Sequence, residues 1–244
     1  MKYMRYVIEL LELILKEEEK QIIAAASLLT DKILEGKSIF IFGSSHAGIL
    51  TEEAYFRAGG LVVMNPIFAK SLQLDSQPIT LTSEMERLPG HGRILAEKSE
   101  VSEGDVVIVH SVSGRNPVGV EFAETMKAAG AFIIAITNVG YSKSVESRVP
   151  SGNKLFEVAD IVIDNHGEIG DASIPIPGTN QKMGASSTVA GAAILNTLIT
   201  ETVFGLMDKG VDVPPVFYSA NMDGGDERNE VVREKYSKQI HYEL

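Results

Sequence analysis

The sequence contains no cysteine, and basic residues are scarce in it. Without cysteine, neither a disulfide framework nor a thiolate metal site is possible. There are 22 Lys and Arg against 33 Asp and Glu, which gives a formal net charge of −11. Nucleic acids and anionic membranes are bound by clustered basic residues, so the composition argues against both partners. An anion bound by this chain is expected to be one small group.

Long apolar runs are also missing. No uninterrupted apolar stretch of about 18 residues occurs, which is roughly the length that spans a bilayer. The N-terminus M-K-Y-M-R-Y is followed by an apolar run that contains acidic residues, unlike a signal peptide. The chain has 244 residues, of which 44% are hydrophobic, enough for a substantial core. We therefore expect one domain spanning 1–244 in a cytoplasmic protein.

The first segment is predicted to form a long helix over 3–35, because its apolar residues recur mostly every three or four positions. Gly36 ends it. Between Val7 and Leu15 the helix is apolar on more than one stripe, which favours burial against a second subunit in a homodimer or homotetramer. The alternative is a helix buried on two sides within its own domain.

The middle of the chain alternates short apolar runs with helical patterns. Such alternation predicts right-handed crossovers and a parallel sheet that is covered on both faces. The fold class expected is α/β, a three-layer αβα sandwich with a doubly wound parallel sheet of about five strands. The expected strands are 38–42, 61–64 (ended by Asn65 and Pro66), 106–110, 131–136 and 161–163.

Other segments are less regular. Residues 67–90 are expected to form a loop with a helix in its second half, and the Gly- and Pro-rich stretch after Asn165 could include a short hairpin. An apolar helix is predicted over 189–207. Residues 211–244 are expected to pack as a C-terminal arm, with D-G-G-D at 223–226 forming a turn.

Hydroxyl-rich clusters follow the buried strands or precede helices. In an open α/β sheet, the carboxyl ends of the strands and the helix N-termini beside them bind ligands. Neutral donors there can hold a phosphate monoester without a buried cation. The alternative is that each residue only caps its helix. The candidates for phosphate binding are Ser44, Ser45, Ser111, Ser113, Asn116, Ser186, Ser187 and Thr188.

Two other ligands are disfavoured. G-S-S-H-A-G at 43–48 resembles a dinucleotide fingerprint, but Ser45 replaces the middle glycine and no acidic residue follows the next strand. His166 lies near Asp164, Glu168 and Asp171, yet this spacing matches no strong metal site. We therefore expect neither a cofactor nor a metal.

The two loops resemble the SIS (sugar isomerase) family of phosphosugar-binding domains. The family pattern G-[ST]-[GS]-x-S is similar to Gly43–Ala47, and S-x-S-G to Ser111–Gly114. Longer stretches such as H-A-G-I-L-T-E-E-A-Y-F-R-A-G-G resemble a small bacterial branch often labelled phosphoheptose isomerase. The resemblance implies an SIS-like fold in which Ser45, Ser111, Ser113 and Asn116 contact a sugar phosphate. Ala47 departs from the family's serine, and Val112 from a polar residue in some members.

Aldose–ketose isomerisation needs a base that moves a proton between adjacent carbons and an acid that helps to open the ring. The resemblance to isomerases and etherases places the active carboxylate at Glu53. His46 or His110 is the candidate acid, since histidine titrates near neutrality. Alternatively, Glu53 is a solvated surface residue and His110 makes a structural hydrogen bond. A related lyase or etherase reaction, or a non-catalytic sensor of phosphorylated sugars, also stays open.

Overall fold

A parallel five-stranded sheet forms the centre of the computed structural model, which describes residues 1–243. Its strand order is β2-β1-β3-β4-β5, and every neighbouring pair is parallel. This confirms the α/β class and the doubly wound sheet. The strands are β1 Ile39–Gly43, β2 Met64–Ile67, β3 Val106–His110, β4 Phe132–Thr137 and β5 Ile161–Asp164.

Helices cover both faces of the sheet. Alternate strand residues point to opposite faces, so Ile108 joins one hydrophobic cluster and Val109 the other. Helices α1, α2 and α8 pack in the first cluster, and α4, α5 and α7 in the second. The helices are α1 Lys2–Leu34, α2 Ile49–Ala54, α3 Thr80–Arg87, α4 His91–Lys98, α5 Pro117–Ala128, α6 Val139–Lys143, α7 Leu155–Val158, α8 Ser187–Asp208 and α9 Gly225–Lys235.

The second strand differs from the sequence prediction. It spans 64–67 rather than 61–64, so Asn65 and Pro66 lie inside it instead of ending it. Leu61 forms an antiparallel bridge with Val216 in the C-terminal arm, and Val62 N donates to Pro215 O. The apolar run is buried by this long-range pairing. Proline is tolerated in β2 because β2 is an edge strand.

The loop after β1 also differs from the prediction. The sequence after this loop has a helical pattern that predicts a helix to about Ala58, but residues 45–48 form a 3₁₀ turn and α2 ends at Ala54. Tyr55 is extended, and its ring packs edge-on against those of Phe68 and Tyr242. Aromatic packing therefore ends the helix where the local sequence allowed it to continue.

Several irregular segments have defined structure. The anticipated hairpin is confirmed by antiparallel strands β6 Ala172–Pro175 and β7 Lys182–Ala185. Helix α3 confirms the helix expected in the second half of 67–90, whereas α4 and α9 were missed. The arm packs on its own chain, with Val232 and Tyr236 buried in the first cluster.

Helix α8 is long and apolar enough to cross a membrane by length and composition alone. It packs inside the chain against α1: Thr30 Oγ1 donates to Thr202 O, and a Cβ at Gly205 would lie 2.7 Å from Thr30 Oγ1. Its residues Leu195 and Leu198 are fully buried. The apolar composition of α8 is therefore explained by the core that it helps to form.

Candidate functional site

A cleft of about 460 Å³ opens at the carboxyl ends of β1 and β3. In the order β2-β1-β3-β4-β5, the chain winds in opposite directions on either side of the β1–β3 pair, and a ligand crevice is expected there. The cleft is where two of the predicted clusters meet. Of the candidates from sequence, Ser44, Ser45, His46, Ser111, Ser113 and Asn116 line it.

Two glycines, Gly43 and Gly114, allow the loops after β1 and β3 to pack tightly against the backbone and side chains around them. A Cβ at Gly43 would lie 2.5 Å from Ala47 O, because the 3₁₀ turn folds back on the strand end. Gly114 has a φ of +57°, and a Cβ there would lie 3.1 Å from Thr137 Oγ1. A side chain at either position would displace a loop that forms the cleft wall.

The polar residues at the helix starts do not cap their helices. Ser44, Asn116 and Ser186 occupy the N-cap positions of the 3₁₀ turn, α5 and α8, and none of their side chains accepts a capping hydrogen bond. The alternative that these three residues serve only as caps is therefore wrong. The first amides of α5 receive no side-chain acceptor from Asn116, and they lie at the positive end of the helix dipole.

Ser45 contributes an unpaired hydroxyl to the cleft wall. Its Oγ is buried and has no hydrogen-bond partner within residues 1–243. Its φ of +49° lies in the left-handed region, which is uncommon for a residue with a side chain. Strain and an unpaired polar atom both cost free energy, and their coincidence is typical of a functional position.

Glu86 on α3 also lines the cleft, and the sequence analysis missed it. Ser44 Oγ donates to Glu86 Oε1 at 2.7 Å, and Asn116 Nδ2 donates to Glu86 Oε2 at 3.2 Å. No local pattern could have indicated this, because Glu86 lies 42 and 30 residues from its two partners. The same donors predicted to hold an anion thus hold a carboxylate of the chain.

Positive charge gathers beside the cleft of this acidic chain. Arg148 Nη1 donates to Asn116 Oδ1 at 3.0 Å. Slight burial, followed by the charges of Arg115 and Arg87, lowers the pKa of Arg148, while the nearby Glu86 opposes that change. Arginine stays protonated under such perturbation. The three guanidinium groups therefore create a local positive field that favours an anionic ligand.

The predicted cluster at the start of α8 is arranged differently. Ser186 and Ser187 are buried, and the Asp171 carboxylate accepts from Ser186 N at 3.1 Å and from Ser187 N at 2.8 Å. Ser187 Oγ also donates to Asp171 Oδ2 at 2.8 Å. These donors are used within the chain, and neither serine nor Thr188 lines the cleft. At the start of α8, the residue that lines the cleft is therefore Asp171 and not Ser186 or Ser187.

The two candidate acids have different environments. His46 is exposed and lines the cleft. His110 is buried, its Nδ1 lies 2.9 Å from Ala47 O, and its Nε2 has no partner among residues 1–243. The carbonyl requires Nδ1 to carry the proton, and burial lowers the pKa of His110. His110 thus makes the structural hydrogen bond that was the alternative interpretation.

Glu53 does not lie among the residues that line the cleft. It forms an ion pair with Arg57, which lies just beyond the end of α2, and its Oε1 accepts from Asn196 Nδ2 at 3.3 Å. The candidate base and the candidate phosphate site are therefore separate in the single chain. His166, considered for a metal, instead pairs with Glu18 Oε1 at 2.8 Å.

The doubly wound sheet, with serine-rich loops at its β1–β3 crevice, defines an α/β protein whose candidate ligand site lies at the switch point of the sheet. Residues 2–138 match the SIS domain family, and the chain belongs to that family. A UPF0309 protein of Shouchella clausii is 48% identical over 241 residues, which cover 99% of this chain and 98% of the relative. A UPF0309 protein of Oceanobacillus iheyensis is 45% identical with the same coverage.

Solved structures share the fold at low sequence identity. A phosphoheptose isomerase from Francisella tularensis superposes with a TM-score of 0.53 and 14% identity, over 82% of this chain and 94% of that one. The Vibrio vulnificus NanR protein, solved with ManNAc-6P, gives a TM-score of 0.53 and 16% identity, over 96% of this chain and 69% of that one. One neighbour is thus named as an isomerase and the other is bound to a sugar phosphate.

Proposed function

We propose that the cleft between β1 and β3 binds the phosphate group of a phosphorylated sugar. The observation that carries this proposal is that Ser44 and Asn116 hold N-cap positions without capping, and direct their donors into one crevice instead. Ser111 and Ser113 add hydroxyls to the same wall. Ser45 Oγ is a further donor without a partner among the described residues 1–243.

The charge distribution supports an anion of small size. A phosphate monoester at this position would lie near the positive field of Arg87, Arg115 and Arg148, in a chain whose formal net charge is −11. A polyanion would meet the acidic remainder of the surface, whereas one phosphate would not. The NanR structure with ManNAc-6P is consistent with this chemistry in the same fold.

The reaction that we propose is aldose–ketose isomerisation. A base removes the proton from the carbon next to the carbonyl while an acid protonates the carbonyl oxygen, which gives an enediol. The base then returns its proton to the former carbonyl carbon, and the neighbouring hydroxyl gives up its proton to become the new carbonyl. Glu53 is the proposed base, from the family resemblance, and His46 is the proposed acid because it is exposed in the cleft. The name of the Francisella tularensis neighbour supports this reaction class.

A second candidate is a non-catalytic sensor of phosphorylated sugars. It is favoured by the position of Glu53, whose carboxylate pairs with Arg57 and Asn196 outside the cleft lining. A sensor needs the phosphate site but no base. The two functions therefore share the same binding residues and differ in the need for Glu53.

One experiment separates them. Wild-type protein, Glu53→Gln and the adjacent exposed Glu52→Gln are incubated with a panel of aldose and ketose phosphates in D₂O, and turnover and proton exchange are followed by NMR. The isomerase requires turnover in wild type and Glu52→Gln, with binding but no turnover in Glu53→Gln. Binding without turnover by all three proteins would support the sensor. No binding to any protein would contradict both.

We also propose that the chain forms a homodimer or homotetramer through α1. The outer face of that helix leaves Met4, Ile8, Leu15 and Ile23 about half exposed or more, with 67% of Leu15 accessible. These residues recur at spacings of four, seven and eight, which places them on one stripe. Several exposed apolar residues on one side of a surface helix are typical of a subunit contact.

A further inference from the structure

Glu86 uses the donors that a ligand's phosphate would need. Its two carboxylate oxygens accept from Ser44 Oγ and Asn116 Nδ2, which belong to the two opposite loops of the cleft. The Asn116 amide is held for this role by Arg148, because a guanidinium can only donate and therefore takes Oδ1. A carboxylate and a phosphate cannot occupy the same donors at close range, since both are negatively charged.

We propose that Glu86 is an internal competitor for the anion site, and that a phosphate must displace it and move α3 away from the cleft. This inference rests on the phosphate-binding part of the proposed function. A ligand then binds only if it interacts with Ser44 and Asn116 more strongly than the Glu86 carboxylate does. A dianionic phosphate offers more charge and more acceptors than one carboxylate, whereas a neutral sugar or a monocarboxylate gains nothing over Glu86.

The attachment of α3 is consistent with such a movement. Thr82 is its buried residue, while Ser83, Glu84 and Arg87 are exposed, and its N-cap residue Ile79 makes no side-chain cap. Met85 packs only at the border of the second hydrophobic cluster. A short helix with little buried apolar surface opens at low free-energy cost. The bonds from Glu86 to Ser44 and Asn116 are thus a substantial part of what closes α3 over the cleft.

A purely structural role for Glu86 would have a different signature. If the carboxylate served only to join the two loops, its removal would loosen Ser44 and Asn116 and weaken phosphate binding. If it competes, its removal frees two positioned donors and strengthens phosphate binding. The sign of the change in affinity therefore decides between the two roles.

The test measures inorganic phosphate binding by isothermal titration calorimetry for wild type, Glu86→Gln and Glu86→Ala. Glu84→Gln is the matched control, because it removes the same charge from an exposed position on the same helix. We expect both Glu86 variants to bind phosphate at least roughly fivefold more tightly than wild type. In these variants, phosphate no longer has to replace the charge-assisted hydrogen bonds that Glu86 accepts from Ser44 and Asn116. Glu84→Gln should match wild type within about twofold, as expected for a screened surface charge.

Hydrogen exchange provides the second measurement. Phosphate should increase amide exchange over 80–87 in wild type while it protects 111–116, because α3 leaves as the anion enters. Equal or weaker phosphate binding by Glu86→Gln, with wild type still binding, would overturn the competitor and leave the phosphate site intact. Phosphate that protects both segments would also overturn it. If none of the four proteins bound phosphate, the proposed binding function itself would fail.

Discussion

Arg148 determines which way the Asn116 amide faces. Its Nη1 donates to Asn116 Oδ1 at 3.0 Å, so Nδ2 points towards Glu86 and the cleft. An asparagine amide offers an acceptor on one side and two donors on the other, and a neighbouring guanidinium fixes the choice. Asn116 is thereby a donor towards any ligand in the cleft, although it stands at a helix start where it could have served as a cap.

The first prediction follows from that orientation. Asn116→Asp replaces the donor with a carboxylate that Arg148 can still pair, so folding should be retained. The loss of a hydrogen bond to a charged partner, about 1.5–3 kcal/mol, predicts a fall in phosphate affinity of roughly tenfold or more. Calorimetry with inorganic phosphate measures it, with the exposed Asn221→Asp as the control of equal charge. Unchanged affinity in Asn116→Asp would remove Asn116 from the binding site.

A substitution at Ser45 is expected to change phosphate affinity without lowering the stability of the fold. Its buried Oγ makes no hydrogen bond within residues 1–243, so Ser45→Ala removes a polar atom without breaking a bond in the folded chain. The free energy of unfolding should be unchanged or slightly higher. Phosphate affinity should fall roughly tenfold or more, because a hydrogen bond to a charged phosphate is worth about 1.5–3 kcal/mol. Urea unfolding and calorimetry on the same preparation check both halves; a loss of stability without a loss of affinity would contradict the assignment.

The sequence predicts the central strands of the sheet, but it predicts neither the position of the edge strand β2 nor all the residues of the cleft. Val106–His110 and the strands beside it are apolar runs, so their burial can be predicted from the local sequence alone. Strand β2 was misplaced because Leu61 and Val62 pair with residues about 150 positions away. Glu86 was missed for the same reason. The loops after β1 and β3 were found because strand ends have a local signature, whereas contacts between distant segments have none.

The Asp171 carboxylate is predicted to stabilise the start of α8. It accepts from the amides of Ser186 and Ser187, at the positive end of a 22-residue helix. Asp171→Ala should lower the free energy of unfolding by about 1–3 kcal/mol, because buried donors lose a charged acceptor. Asp171→Asn should lose less, since asparagine tolerates the φ of +70° and keeps one oxygen. Urea denaturation compares them with the exposed Asp75→Asn, which should resemble wild type.

The outer stripe of α1 predicts the effect of a surface charge on assembly. Ile8→Glu places a carboxylate in the proposed subunit contact and should shift the protein to a monomer in sedimentation velocity. Ile94→Glu is the matched control, because Ile94 on α4 is 50% exposed and Ile8 is 52% exposed. A burial of charge against apolar surface costs several kcal/mol, enough to dissociate a dimer at micromolar concentration. An Ile8→Glu protein with the wild-type sedimentation coefficient would place the contact elsewhere.

The burial of His110 is expected to make the stability of the fold depend on pH. Burial lowers the pKa of its imidazole below the ordinary value of 6.5, so the folded chain keeps the ring neutral while the unfolded chain protonates it. The unfolded state then binds more protons, and stability falls as the pH drops below about 6.5, by up to roughly 1.4 kcal/mol per pH unit. His110→Asn keeps a donor for Ala47 O but cannot titrate, so its stability should fall less steeply between pH 6.5 and 5. His46→Asn, at an exposed position, should retain the wild-type slope. Equal slopes for wild type and His110→Asn in urea denaturation would show that His110 is not the buried neutral histidine inferred from its contacts.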